Sequence, residues 1–123
     1  MNASLKARHA YAPTSAPIRS NRGIEYDVIA RITFRLKKAV EQGEFGPLVE
    51  ALHENRNLWR VLAIDVASPE NQLPKDLRAR LFYLAEFTDH HTSKVISRKD
   101  SAIPLLEVNT AVLRGLKPQG LDR

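Results

Sequence analysis

From residue 24 onward, apolar residues return every three or four positions, the spacing that gathers side chains on one face of an α-helix. Ile24, Val28, Ile32, Leu36 and Ala39 trace a first stripe, widened by Ile29 and Val40. Gly43 offers a stop, because glycine adopts the left-handed turn that closes many helices. Gly46-Pro47 restarts the chain with a proline suited to a first helical turn. The spacing predicts a second helix from Pro47 to about Val66, with Leu48, Leu52, Trp59, Leu62, Ala63 and Val66 inward. "SPENQLP" reads as a polar connector. A third helix is predicted from Pro74 to near Ile96 on the stripe Leu77, Leu81, Leu84, Thr88 and Val95. Pro104 opens a fourth, with Leu105, Val108, Val112, Leu113 and Leu116 inward. No period-two alternation lasts long enough for a strand. The expected fold is all-α, a small helical bundle of about four main helices.

Residues 1–22 break this pattern. They are rich in Ala, Ser, Pro and Arg, interrupted by Pro13 and Pro17, and read as a flexible, irregular or extended basic segment. The expected organisation is that segment, a helical domain over 23–117 and a short tail at 118–123. A chain of 123 residues supports one good core. The absence of cysteine removes disulfides, thiolate metal sites and thiol nucleophiles. No apolar run approaches the ~20 residues of a membrane-spanning helix, and the N-terminus lacks the apolar middle of a signal peptide. A cytoplasmic location is the expectation.

The formal charge of +5 invites a nucleic-acid reading, but its distribution weakens it. Lys6, Arg8, Arg19 and Arg22 stand in the first 22 residues with no acid among them. The remainder carries 15 bases against 14 acids and is nearly neutral. A basic tail speeds encounter with acidic partners or RNA and gives little specificity. Within the domain, Arg31, Arg35 and Lys38 form a candidate basic stripe at spacings of four and three. With Asp27 placed to pair with Arg31, and no aromatic interleaved as a stacking platform, a solvated helix face is favoured over an RNA site.

The stretch "RLFYLAEFTDHH" ends in Asp89, His90 and His91, preceded by Glu86, which looks like a metal or hydrolytic set. Successive helical residues are turned by about 100°, so the three side chains splay apart and cannot converge on one ion. His91 falls within the apolar stripe, while Glu86 and His90 suit a solvent-side pair. His9 and His53 bring no second set. The reading assigns no catalytic residue, no metal and no cofactor.

Asn55 and Asn109 are more unusual, since each sits inside an apolar stripe where an amide must find partners. Either they bond within the bundle and fix its register, or one face is open and the amide meets another protein's backbone. Phe34, Phe82, Tyr83 and Phe87 lie off or at the margins of the stripes, and Trp59 lies more centrally. The candidate partner-binding residues are thus Phe34, Asn55, Trp59, Phe82, Tyr83, Phe87 and Asn109. Surplus aromatics on a neutral helical domain favour docking of another protein or helix.

"RGIEYDVIARITFRLKKA", "LVEALHENRNLWRVLAIDVASPENQLPKDLRARLFYLAEFT" and "IPLLEVNTAVLRGL" together resemble the flagellar biosynthesis regulator FlaF family of alphaproteobacteria. The most telling pieces are "NRNLW", "LPKDLRARLFYLAEFT" and "EVNTAVLRGL", where Asn55, Leu58, Trp59, Arg78, Phe87, Asn109 and Gly115 match the family pattern. The resemblance implies a cytoplasmic, non-enzymatic protein that favours flagellin synthesis or export, by binding flagellin as a secretion chaperone. It also implies a companion regulator, FlbT, which restrains flagellin translation. The alternative is an RNA-associated regulator of the flagellin message, acting through the basic tail and the Arg31, Arg35 and Lys38 stripe.

Overall fold

The computed structural model describes residues 26–116, and every regular element among them is a helix. The four are α1 (Tyr26–Gln42), α2 (Phe45–Ala67), α3 (Lys75–Ile96) and α4 (Ile103–Leu116). The all-α expectation holds in number and order of elements. Residues 1–22, Ile24 and the 118–123 tail lie outside the described residues.

The boundaries follow local chemistry. Gly43 closes α1 at φ +76°, donating its N–H to the Ala39 carbonyl at 3.2 Å. α2 begins two residues before Pro47, which sits in the first turn, where N–H groups have no intrahelical acceptor and proline removes no bond. Pro74 caps α3, with Asp76 near the positive end of the helix dipole and Lys94 near the negative end. At the end of α3, Arg98 and Lys99 donate to the Val95 and Lys94 carbonyls, each at 2.9 Å. This closing motif normally places glycine in the left-handed position, but here Arg98 occupies it at φ 62°. Its guanidinium lies 4.0 Å from the centre of the Phe45 ring, an attraction that offsets part of the backbone strain.

The helices form a ring in which α2 packs on α1 and α3, while α4 packs on α1 and more lightly on α3. Buried side chains fall into two apolar clusters. One gathers Ile29, Ile32, Trp59, Leu62, Leu81 and Val112, and the other Leu36, Leu52, Val95, Ala102 and Leu105. Leu36, Leu52 and Leu105 are fully enclosed, so truncating any of them to Ala costs about 2–5 kcal/mol. The buried arcs are wider than strict stripes because each helix touches two neighbours. Thr33, Ala51, Leu58, Ala85, His91 and Thr92 join the interior. Val28, Leu48, Ala63, Leu77, Leu84, Val108 and Leu113 stay half-buried at the margins.

Candidate functional site

Between the two apolar clusters, the helices contribute polar side chains to a common layer: Thr33 from α1, Asn55 from α2, Thr88 from α3 and Asn109 from α4. Asn109 is its hub. Its amide nitrogen donates to Thr33 Oγ1 at 2.9 Å and to Asn55 Oδ1 at 2.8 Å, while its Oδ1 accepts from Trp59 Nε1 at 2.9 Å. Asn55 and Asn109 have no exposed surface and Trp59 has 1%. This favours the within-bundle reading of the asparagines: Asn55 and Trp59 each bond to Asn109 across the bundle. Asn55, Trp59 and Asn109, placed among the candidate partner contacts, thus lie inside the bundle, where Asn109 bonds to the other two and Asn55 Nδ2 is left without a hydrogen-bond partner.

The Asp-His-His string is dispersed as helix geometry demands. Asp89 turns toward α2, where its Oδ1 accepts from Arg60 Nε at 2.9 Å and lies 3.2 Å from Arg56 Nε. Arg56 also donates to the Asp89 carbonyl at 2.7 Å and to Ser93 Oγ at 2.6 Å. His90 is exposed. His91 is buried, stacks on Phe87 with ring centroids 5.2 Å apart, and donates from Nε2 to the Ser101 carbonyl at 2.8 Å. Among the described residues no group of three or more His, Asp or Glu side chains is placed to hold a metal ion. Asp89 acts as the anchor of an α2–α3 ion pair network. Its partners lie about thirty residues away in sequence and left no local signal.

The basic stripe is only partly free. Arg35 forms a two-pronged ion pair with Glu54 of α2, with its Nε 3.0 Å from Glu54 Oε1. This pairing holds the Arg35 guanidinium more firmly protonated than usual. No ion pair joins Asp27 to Arg31 among the three that link described residues. One expectation needs amending: an aromatic does stand among these bases. Phe34 lies between Arg31 and Lys38 in α1, is 59% exposed, and carries Lys38 Nζ 5.6 Å from its ring centre.

The remaining aromatics divide. Phe87 is half-buried against the cluster around Leu36 and Leu52 and belongs to the fold. Phe82 and Tyr83 face outward, with Tyr83 66% exposed. Two aliphatic residues join them that the stripe analysis did not single out: Ile64, 74% exposed, and Val61. Their signal was present, because positions 61 and 64 point away from the face shared by Leu52, Trp59, Leu62 and Val66. A shallow open groove of about 460 Å³ runs between α2 and α3, with Trp59, Ala63 and Ala85 among its apolar lining and Arg60, Glu86 and Asp89 among its polar lining. By helical spacing, Ile64 lies one turn beyond Arg60 and Phe82 one turn before Glu86, so both flank the end of the groove nearest the α2–α3 connection. The outer side of the α2–α3 hairpin therefore joins exposed aliphatic and aromatic side chains to a concave strip floored by two alanines.

A family model described as "Flagellar protein FlaF" matches residues 7–116. No curated protein and no solved structure matches the chain. No helix among the described residues is long and apolar enough to cross a membrane.

Proposed function

The chain belongs to the FlaF family of flagellar proteins and so has a regulatory role in flagellum biogenesis; from that premise we propose that it acts without catalysis, by binding flagellin in the cytoplasm as a secretion chaperone. The observation that carries this reading is the set of exposed apolar side chains on the α2–α3 hairpin, Val61, Ile64, Phe82 and Tyr83, of which Ile64 and Phe82 flank one end of an open groove. Side chains of this size add nothing to the stability of the free bundle when left in water, and they gain free energy when another surface covers them. An amphipathic helix laid along the groove would place its apolar ridge over Ala63 and Ala85 and its flanks against Ile64 and Phe82. The test is co-purification with flagellin at high salt, repeated with Ile64→Glu and Tyr83→Glu. Capture should survive salt, because apolar burial dominates, and should be lost in the double variant while its thermal melt stays unchanged. Release of flagellin by salt alone would refute apolar docking.

The exposed Phe34 flanked by Arg31 and Lys38 favours a second reading, contact with the flagellin message or with an acidic surface of the companion regulator FlbT. A base can stack on such a ring while the cations meet phosphates. RNA binding of this kind falls steeply with salt and weakens in Phe34→Ala.

A further inference from the structure

The polar layer in the middle of the bundle is a poor way to obtain stability. Thr33, Asn55, Thr88 and Asn109 are all buried, yet the Asn55 amide nitrogen and the Thr88 hydroxyl have no partners. A layer of Leu and Val would bury similar volume with no orphaned polar atom. Replacing a complete buried polar set by apolar residues is often neutral or stabilising, whereas removing one member is not. What such a layer can supply instead of stability is specificity of packing.

Its bonds radiate from α4. Asn109 reaches Thr33 on α1 and both Asn55 and Trp59 on α2. Sliding α4 by one turn, about 5.4 Å, would bring Leu105 or Val112 into the place of Asn109. The hub would then enter one of the apolar clusters, and Trp59 Nε1 and Asn55 would lose their partner. The clusters themselves resist such a shift weakly, since Leu, Ile, Val and Ala substitute for one another in a core of the right volume. The same logic applies to any foreign helix with an unbroken apolar stripe: it could fill both clusters but could not satisfy the layer.

We infer that the Thr33–Asn55–Thr88–Asn109 layer is a selectivity lock, which admits α4 in one register and excludes a shifted α4 or a wholly apolar helix from the interior. Polar residues at single core levels fix register in helical assemblies by this means. The inference rests on the fold alone and stands whether or not flagellin is the partner. In a protein that meets amphipathic helices, the lock confines them to the outer surface.

The experiment compares the full-length chain with its T33V/N55L/W59F/N109L variant, which removes the hydrogen-bonded set together. The expected result is a helical protein melting no lower than the parent, whose amide NMR spectrum is doubled or broadened. A synthetic peptide of residues 97–116 carrying Asn109→Leu should bind the variant and leave the parent spectrum unmoved. Thr88→Val, which breaks no hydrogen bond made by Thr88 Oγ1, should keep a single sharp set of resonances. A quadruple variant that fails to fold or melts lower than the parent would overturn the inference, since the layer would then be supplying stability. So would one that keeps a single sharp spectrum and ignores the peptide, since the layer would then specify nothing.

Discussion

Replacing Asn109 with Ala tests how strongly one amide ties the bundle together. The change removes three hydrogen bonds from a side chain with no exposed surface. Trp59 Nε1 and Asn55 Oδ1 are left buried without partners, at about 1–3 kcal/mol each. The Thr33 hydroxyl loses a donor but can turn toward a helix carbonyl, so its share is smaller. The missing amide leaves a void on the order of 30 Å³, which at roughly 24 cal/mol per Å³ adds under 1 kcal/mol. The total is about 3–5 kcal/mol, a large part of the roughly 5–15 kcal/mol that holds a domain folded. Urea unfolding followed by far-UV circular dichroism reads this loss directly. Trp59 is the single tryptophan, so its fluorescence reports on the layer in the same titration. Asn57→Ala is the control, because Asn57 is exposed on α2, the helix that carries Asn55 and Trp59, and should change stability by less than about 0.5 kcal/mol. In a cycle with Thr33→Val, the two losses should fail to add by at least about 0.5 kcal/mol. An Asn109→Ala loss below about 1 kcal/mol, or one no larger than that of Asn57→Ala, would refute the account of the layer.

Other consequences can be checked in the same assay. Asp89→Ala removes the anion shared by Arg56 and Arg60 and should cost about 1–2 kcal/mol, since Arg56 is only 12% exposed while Asp89 itself is partly solvated; added zinc should leave the melt of the parent unchanged. Burial raises the Asp65 carboxyl above its ordinary range, with the Asn71 side chain acting the other way. A raised folded-state value favours the protonated acid, so the charged form at pH 7 weakens the fold, and Asp65→Asn should raise the melting point there. That gain should vanish as pH falls below about 4, where the parent is protonated in both states. Arg98→Gly and Arg98→Ala both lose the contact with Phe45, but only glycine relieves the left-handed backbone. The glycine variant should therefore be the more stable by about 1 kcal/mol in urea.

Helix number, order and boundaries were legible along the chain because they depend on interactions within a few residues. Gly43, Pro47 and Pro74 act on the adjoining backbone, and apolar spacing marks which faces avoid water. The dispersal of Asp89, His90 and His91 was equally local, since rotation about one helix axis decides it. "NRNLW" and "LPKDLRARLFYLAEFT" carried the resemblance to the FlaF family in the same way, as combinations of neighbouring residues, and the family model matches residues 7–116.

Everything that depends on which helix faces which was decided by the fold. Asn55 and Asn109 could have faced a partner or each other until α1, α2 and α4 closed around Thr33 and Trp59. Arg35 pairs with Glu54, nineteen residues away in sequence, whereas the Asp27–Arg31 pair that spacing suggested is not among the ion pairs of the described residues. The outward set at Val61, Ile64, Phe82 and Tyr83 exists because the ring covers two sides of α2 and α3 and leaves the outer sides bare. Periodicity fixes the direction of a side chain about its own axis. Whether that direction meets core, ion partner or solvent is a property of the neighbours, and distant stretches of chain supply them.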